Sequence, residues 1–181
     1  MRIGAVDETT LLRRNLTLPE RDTVQLDHLR TRLEASSDSE VVRQSLRYLA
    51  ELIEDCSLGK KFLVVPRSRA SYEITLEALR NDPEPTANLV RRNMMIHESS
   101  AQRLELLKEL GDIDSDSKAI RMSLKLCSTL LSEVDDGSKF YILDSGEKIQ
   151  VRLAGLTPVR PGNSGRPVQA AVKHGLQPAG A

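Results

Sequence analysis

The chain has 181 residues, a formal net charge of zero and only 3% aromatic residues, none of them Trp. A core must therefore come from Leu, Ile, Val and Met, which favours helices packed on helices. Zero net charge removes any global pull toward nucleic acid or membrane, so a binding face must arise from local charge distribution.

The opening stretch, read as an N-terminal arm over 1–12, lacks the apolar core of a signal peptide, and no apolar run approaches bilayer length. The expectation is a cytoplasmic protein with no membrane association. Cys56 and Cys127 form neither a CxxC pair nor a zinc spacing, so both are expected to be free thiols, with no metal and no other cofactor.

From Arg13 the sequence alternates. Asn15 and Thr17 stand against Leu16 and Leu18, the period of a half-buried strand. Pro19 closes this strand and suits the first turn of a helix. That helix runs over about 20–33, with Leu26, Leu29 and Leu33 on one face. Ser37-Asp38-Ser39-Glu40 then reads as a capping box. The helix behind it carries Val42, Leu46, Leu49 and Ile53 on one side. Gly59 follows, and Lys61–Val65 (KFLVV) reads as a strand that completes a unit over 13–65. Residues 66–90 are read as linker with a return strand near Tyr72–Leu76; NDPEPTAN at 81–88 carries the linker composition.

Shifted by 78 positions, Arg13 falls on Arg91, and the whole unit repeats without a gap. Identities include Arg14/Arg92, Asn15/Asn93, Leu26/Leu104, Ser37/Ser115, Ser39/Ser117, Leu46/Leu124, Gly59/Gly137 and Phe62/Phe140. The second unit, 91–153, predicts a strand at 91–96 and a helix over about 98–110. That helix carries Leu104, Leu107 and Leu110 and ends at Gly111. A second helix, capped by Ser115, presents Ile120, Leu124, Cys127 and Leu131. Lys139–Leu143 (KFYIL) then turns through Asp144–Glu147 and returns as Lys148–Leu153. The remainder, 154–181, is rich in Gly and Pro and has no acid, a composition expected of disorder.

Strand, helix and Ser-capped helix, written twice, resembles the ribbon-helix-helix family of DNA-binding repressors of the MetJ/Arc/CopG type. NLTLPE, VQLDHL and SDSEVVRQSL carry the resemblance in the first copy; NMMIHE, RLELL and SDSKAIRMSL carry it in the second. It covers 13–56 and 91–134. The fold expected is mainly α with short β: two repeats forming an intrachain pseudo-dimer of a two-stranded antiparallel ribbon and four helices, with an additional C-terminal hairpin. Pairing between two chains remains the rival arrangement.

The resemblance implies sequence-specific binding of double-stranded DNA, with the ribbon in the major groove. Counting back from Pro19, Arg13, Asn15 and Thr17 point outward, with Arg91, Asn93 and Met95 as their equivalents. These six are the expected base contacts: Arg for guanine, Asn for adenine, Thr and Met for the thymine methyl. Phosphate contacts are expected from Arg14 and Arg92 and from the second-helix N-termini at Ser37, Asp38, Ser39, Ser115, Ser117 and Lys118. Asp38, Glu40 and Asp116 oppose this role.

A transcriptional repressor is the leading expectation, with an antitoxin, a plasmid-transfer accessory protein or another protein-interaction module as the alternative. Further partners in this reading are a second copy of the chain and a protein bound through the trailing strands or tail. Ser115-Asp116-Ser117-Lys118 matches the SxxK of acyl-enzymes, but the repeat explains it as a cap. Gly162-Asn163-Ser164-Gly165 has no triad partners, and His28, His97 and His174 are scattered. No enzyme is expected.

Overall fold

A computed structural model describes residues 11–81 and 88–156. The expected arm over 1–12 falls outside it except for residues 11 and 12. The heart of the linker (82–87) and the tail from 157, with Ser164 and His174, also lie outside the described residues.

Strand β1 (Leu11–Pro19) leads into α1 (Glu20–Arg32) and α2 (Asp38–Ser57). Strands β2 (Lys61–Val65) and β3 (Tyr72–Ile74) follow, then the short helix α3 (Leu76–Arg80). The second copy runs β4 (Leu89–His97), α4 (Glu98–Gly111) and α5 (Asp116–Asp135). It ends in β5 (Lys139–Asp144) and β6 (Glu147–Val151).

The expected class, mainly α with a ribbon and four helices, is overturned. Among the described residues the chain forms five helices and six strands in two antiparallel sheets; 51% of those residues are helical and 26% lie in strands. The architecture is mixed α/β. One sheet is β1 paired with β4; the other has four strands in the order β3-β2-β5-β6. The physical reason lies in the trailing strands. KFLVV and KFYIL are β-branched and aromatic runs whose backbone groups need partners once buried. They find each other, Val64 opposite Phe140 and Phe62 opposite Ile142, on the face carrying the buried Val64 and Phe140.

The fifth helix, α3, comes from LEALR behind Thr75, whose hydroxyl accepts from the Ala78 N–H at 3.2 Å. It is too short to show a period in the sequence.

Both sheets are centred on a residue and its own repeat equivalent. Asn15 faces Asn93 in the first sheet, and Leu63 faces Tyr141 in the second. A single approximate two-fold axis through both pairs relates the copies. One hydrophobic cluster fills the space between, joining Leu16 and Leu18 of β1 to Met94 and Ile96 of β4 and to Leu46, Leu49, Ile120 and Leu124 of α2 and α5. Helices α2 and α5 pack on each other, and each of α1 and α4 packs on both.

Helix α4 ends at Gly111 as expected, but its last turn differs from expectation in two respects. Gly111 is not the left-handed stop of α4; Asp112 takes that conformation at φ 49°. Gly111 is instead buried where an added Cβ would lie 2.9 Å from Ile113 Cδ1 and 3.0 Å from Ile53 Cδ1. A Cβ there would press only on the ends of two isoleucine side chains, and the turn itself falls to Asp112. Leu110, expected in the core, is 50% exposed, because the buried stripe of α4 runs through Leu104, Leu107 and Gly111 and leaves Leu110 to its side.

Candidate nucleic-acid interface

The two-stranded sheet alternates cleanly. On β1, Arg13, Asn15 and Thr17 are exposed while Leu16 and Leu18 are buried. On β4, Arg91, Asn93 and Met95 are exposed while Met94 and Ile96 are buried. The register sets Arg13 opposite Met95, Asn15 opposite Asn93 and Thr17 opposite Arg91. All six therefore share one face, held rigid by the core beneath. The asparagines sit at its centre. The arginines lie on opposite strands, four residues apart along the ribbon, which is about 14 Å at the rise of an antiparallel strand. Such a ribbon has the width of a major groove and the donors and acceptors to read base edges.

The expected phosphate contacts divide. Arg14 is half-buried and faces Glu105 at 3.8 Å and Asp116 at 3.6 Å. Lys108 meets the same two carboxylates at 2.8 and 2.9 Å, and these bonds hold its ammonium pKa above the usual value. This network pins the start of α5 against the ribbon. The Thr17 N–H also points at Ser117 Oγ, 3.4 Å away. Glu105 and Lys108 were not singled out in the sequence, although their i,i+3 spacing is a readable pairing signal. Arg92, on β4 opposite Leu16, is half-buried, with its Nε withdrawn from solvent.

Ser37 and Ser115 cap their helices, each accepting from the backbone N–H three residues on, at 3.3 Å from Glu40 and 3.2 Å from Lys118. The capping box is shifted by one residue. Glu40 reaches past Ser37 to the N–H and hydroxyl of Ser36, both at 2.8 Å. Those bonds, the backbone one foremost, hold the Glu40 carboxyl below its usual pKa. Asp38 pairs with Arg30 at 3.3 Å, while Ser39 stays half-buried in the first turn of α2.

Lys118 leans on Asp114 at 3.3 Å, and this contact is the first cause of the lowered Asp114 pKa. Ser115 and Lys118 are thus occupied as cap and ion pair, not as nucleophile and base. Cations outnumber acids around neither cap. At Ser115, Arg14, Lys108 and Lys118 balance Glu105, Asp114 and Asp116; at Ser37, Arg30 and Arg43 balance Asp38 and Glu40.

Both cysteines are free. Burial pushes the Cys127 thiol up to about 11 and raises that of Cys56, which keeps both in the unreactive protonated form. Among the described residues no group of His, Cys, Asp and Glu is arranged to hold a metal, and no helix is long and apolar enough to cross a membrane. No protein-family model matches the chain, and no curated protein or solved structure is significantly similar to it.

Proposed function

We propose that the chain binds double-stranded DNA sequence-specifically, laying the β1–β4 ribbon into the major groove as the proteins it resembles do, and that it acts as a transcriptional repressor in a cytoplasm. One observation carries the reading. Six side chains suited to base edges occupy the exposed face of an isolated two-stranded sheet, and an apolar core supports the opposite face. A structural ribbon needs no asparagine pair at its centre and no arginine at each end. On this reading Asn15 and Asn93 read adenines near the middle of the site, and Arg13 and Arg91 read guanines outside them. Balanced charge around the helix caps makes base contacts, not phosphate attraction, the main source of affinity.

Selection of bound duplexes from a random pool tests this, repeated with Asn15 and Asn93 both changed to Ala. The expected result is a compact near-palindromic site that the double variant no longer selects, each lost bidentate contact costing about 1–3 kcal/mol of discrimination. Absence of a selected site for the unaltered protein, even at low salt, would sink the proposal.

The second reading, an assembly module, draws on β6. This strand lies at the edge of the four-stranded sheet, and its Ile149 is 46% exposed. Edge pairing with a second copy or another protein would use it. Light scattering that shows a monomer at all working concentrations removes the homodimer.

A further inference from the structure

Helices α2 and α4 and the end of β4 enclose a pocket of about 270 Å³, lined by Arg43, Gln44, Arg47, His97, Ser99 and Arg103. That volume would hold several water molecules, each taking about 30 Å³. Three guanidinium groups line it and no carboxylate does. Arg43 and Arg47 have acidic neighbours outside the pocket, Glu40 at 3.5 Å and Glu51 at 3.8 Å. Both contacts are long and partly exposed, so they leave each arginine able to take a further partner. Arg47 is also fixed from behind, donating to the Ala154 carbonyl at 2.8 Å.

The approximate two-fold axis supplies a comparison within the molecule. Shifted by 78, Arg43, Gln44 and Arg47 become Arg121, Met122 and Lys125. In that half α3 lies over them. Leu79 closes on Arg121 and Met122, leaving a cleft of about 10 Å³, and Lys125 donates to the Ala78 carbonyl at 3.1 Å. The sequence follows the difference. The covered position is a buried methionine; the open one is a glutamine. At Arg103 the covered half has Gln25, while Arg21 stands there in place of Ser99 and Arg80 lines the covered cleft, so the guanidinium groups sit at different places in the two halves.

We propose that this pocket binds a phosphate ester, held in bidentate fashion by Arg43 and Arg103, with Gln44 and Ser99 donating to the remaining oxygens. The phosphate comes either from a small phosphorylated ligand or from the DNA backbone. His97 shares the outward parity of Asn93 and Met95 on β4 and places the pocket at one end of the reading face. A backbone phosphate would therefore be gripped at that end only. This second source rests on the proposed function; the first does not.

The test uses the full chain, with inorganic pyrophosphate as probe in calorimetry. A parallel series measures DNA affinity against salt concentration. R43Q/R103Q is the test variant and R103Q alone the milder one, while R121Q, altered under α3, is the control. Each is checked for an unchanged melting transition.

Saturable pyrophosphate binding, kept by R121Q and lost by R43Q/R103Q, supports the site and identifies a free ligand. No pyrophosphate binding, but a salt slope shallower by about one in R43Q/R103Q, as expected for one lost phosphate contact, supports it and identifies the DNA backbone. Pyrophosphate binding that survives R43Q/R103Q, or neither effect, overturns the site. If the chain binds no DNA, the ribbon reading fails while the pyrophosphate arm still decides the pocket. N15A/N93A should spare that arm.

Discussion

Thr17 and Met95 occupy equivalent places on the two ribbon strands, and both are exposed. Thr offers a hydroxyl and a methyl; Met offers only apolar contact. On the DNA-binding reading this is the main departure from two-fold symmetry on the reading face, since Arg13/Arg91 and Asn15/Asn93 are identical. Met95→Thr should make the two halves of the selected site alike, shifting preference at the Met95-facing base by about 1–3 kcal/mol. Selection with the variant checks this, and unchanged half-sites would show that residue 95 touches no base. The caps differ for another reason. Ser115 alone satisfies the Lys118 N–H, whereas at α2 the Glu40–Ser36 bonds hold the same turn from the other side. Ser115→Ala should cost about 1 kcal/mol, and Ser37→Ala less, in urea unfolding. Equal losses would mean that the Glu40 bridge adds nothing.

At the scale of elements, the four-stranded sheet is fastened to α5 through a buried carboxylate. Glu133 accepts from Tyr72 Oη at 2.8 Å and Ser138 Oγ at 2.6 Å, and Arg69 of the β2–β3 loop pairs with it. Burial first, then this carboxylate, pushes the Tyr72 phenol from its usual 10.0 up to about 12. A raised folded pKa means stability that is complete below pH 10 and drains away as pH rises toward 12. Thermal melts across that window should fall more steeply for the unaltered protein than for Tyr72→Phe, which also forfeits about 1 kcal/mol at neutral pH. Parallel curves would detach Tyr72 from the alkaline loss. None of this was legible in the sequence, because Arg69, Tyr72, Glu133 and Ser138 meet only after β2 and β5 have paired. Helices α2 and α5 were legible, since Ser caps and a long apolar face announce them locally. So was the alternation in β1 and β4, which placed Arg13, Asn15, Thr17, Arg91, Asn93 and Met95 on one exposed face. The second sheet was missed as a unit because each of its strands looks like a local hairpin. Helix α3 was missed because five residues show no period; the end of α4 at Gly111 was legible, but not that Asp112 takes the left-handed turn, because a helix-ending glycine and a closely packed one look the same in one dimension.

For the whole molecule the duplication has a thermodynamic consequence. A strand and two helices bury too little apolar surface to fold alone. Here the copies do not merely dock: β1 pairs with β4, β2 pairs with β5, and one cluster takes residues from both. Neither copy retains a separate core, so opening one exposes the other. Unfolding should therefore be a single transition although the sequence contains two units. Leu46 and Leu124 test this, being repeat equivalents on α2 and α5, both fully buried. Leu46→Ala and Leu124→Ala should each destabilise by about 2–5 kcal/mol. Both should move one shared urea midpoint and leave the slope of the transition unchanged. If Leu46→Ala instead splits the curve, leaving the second copy folded at denaturant concentrations that melt the first, then the units are separable domains. The ribbon would then be an interface between them, free to open, and on the proposed DNA-binding reading its six exposed residues would gain a fixed spacing only in the complex. A single transition means the spacing is built in beforehand, so on that reading the entropy of aligning two strands is not charged to the proposed DNA complex.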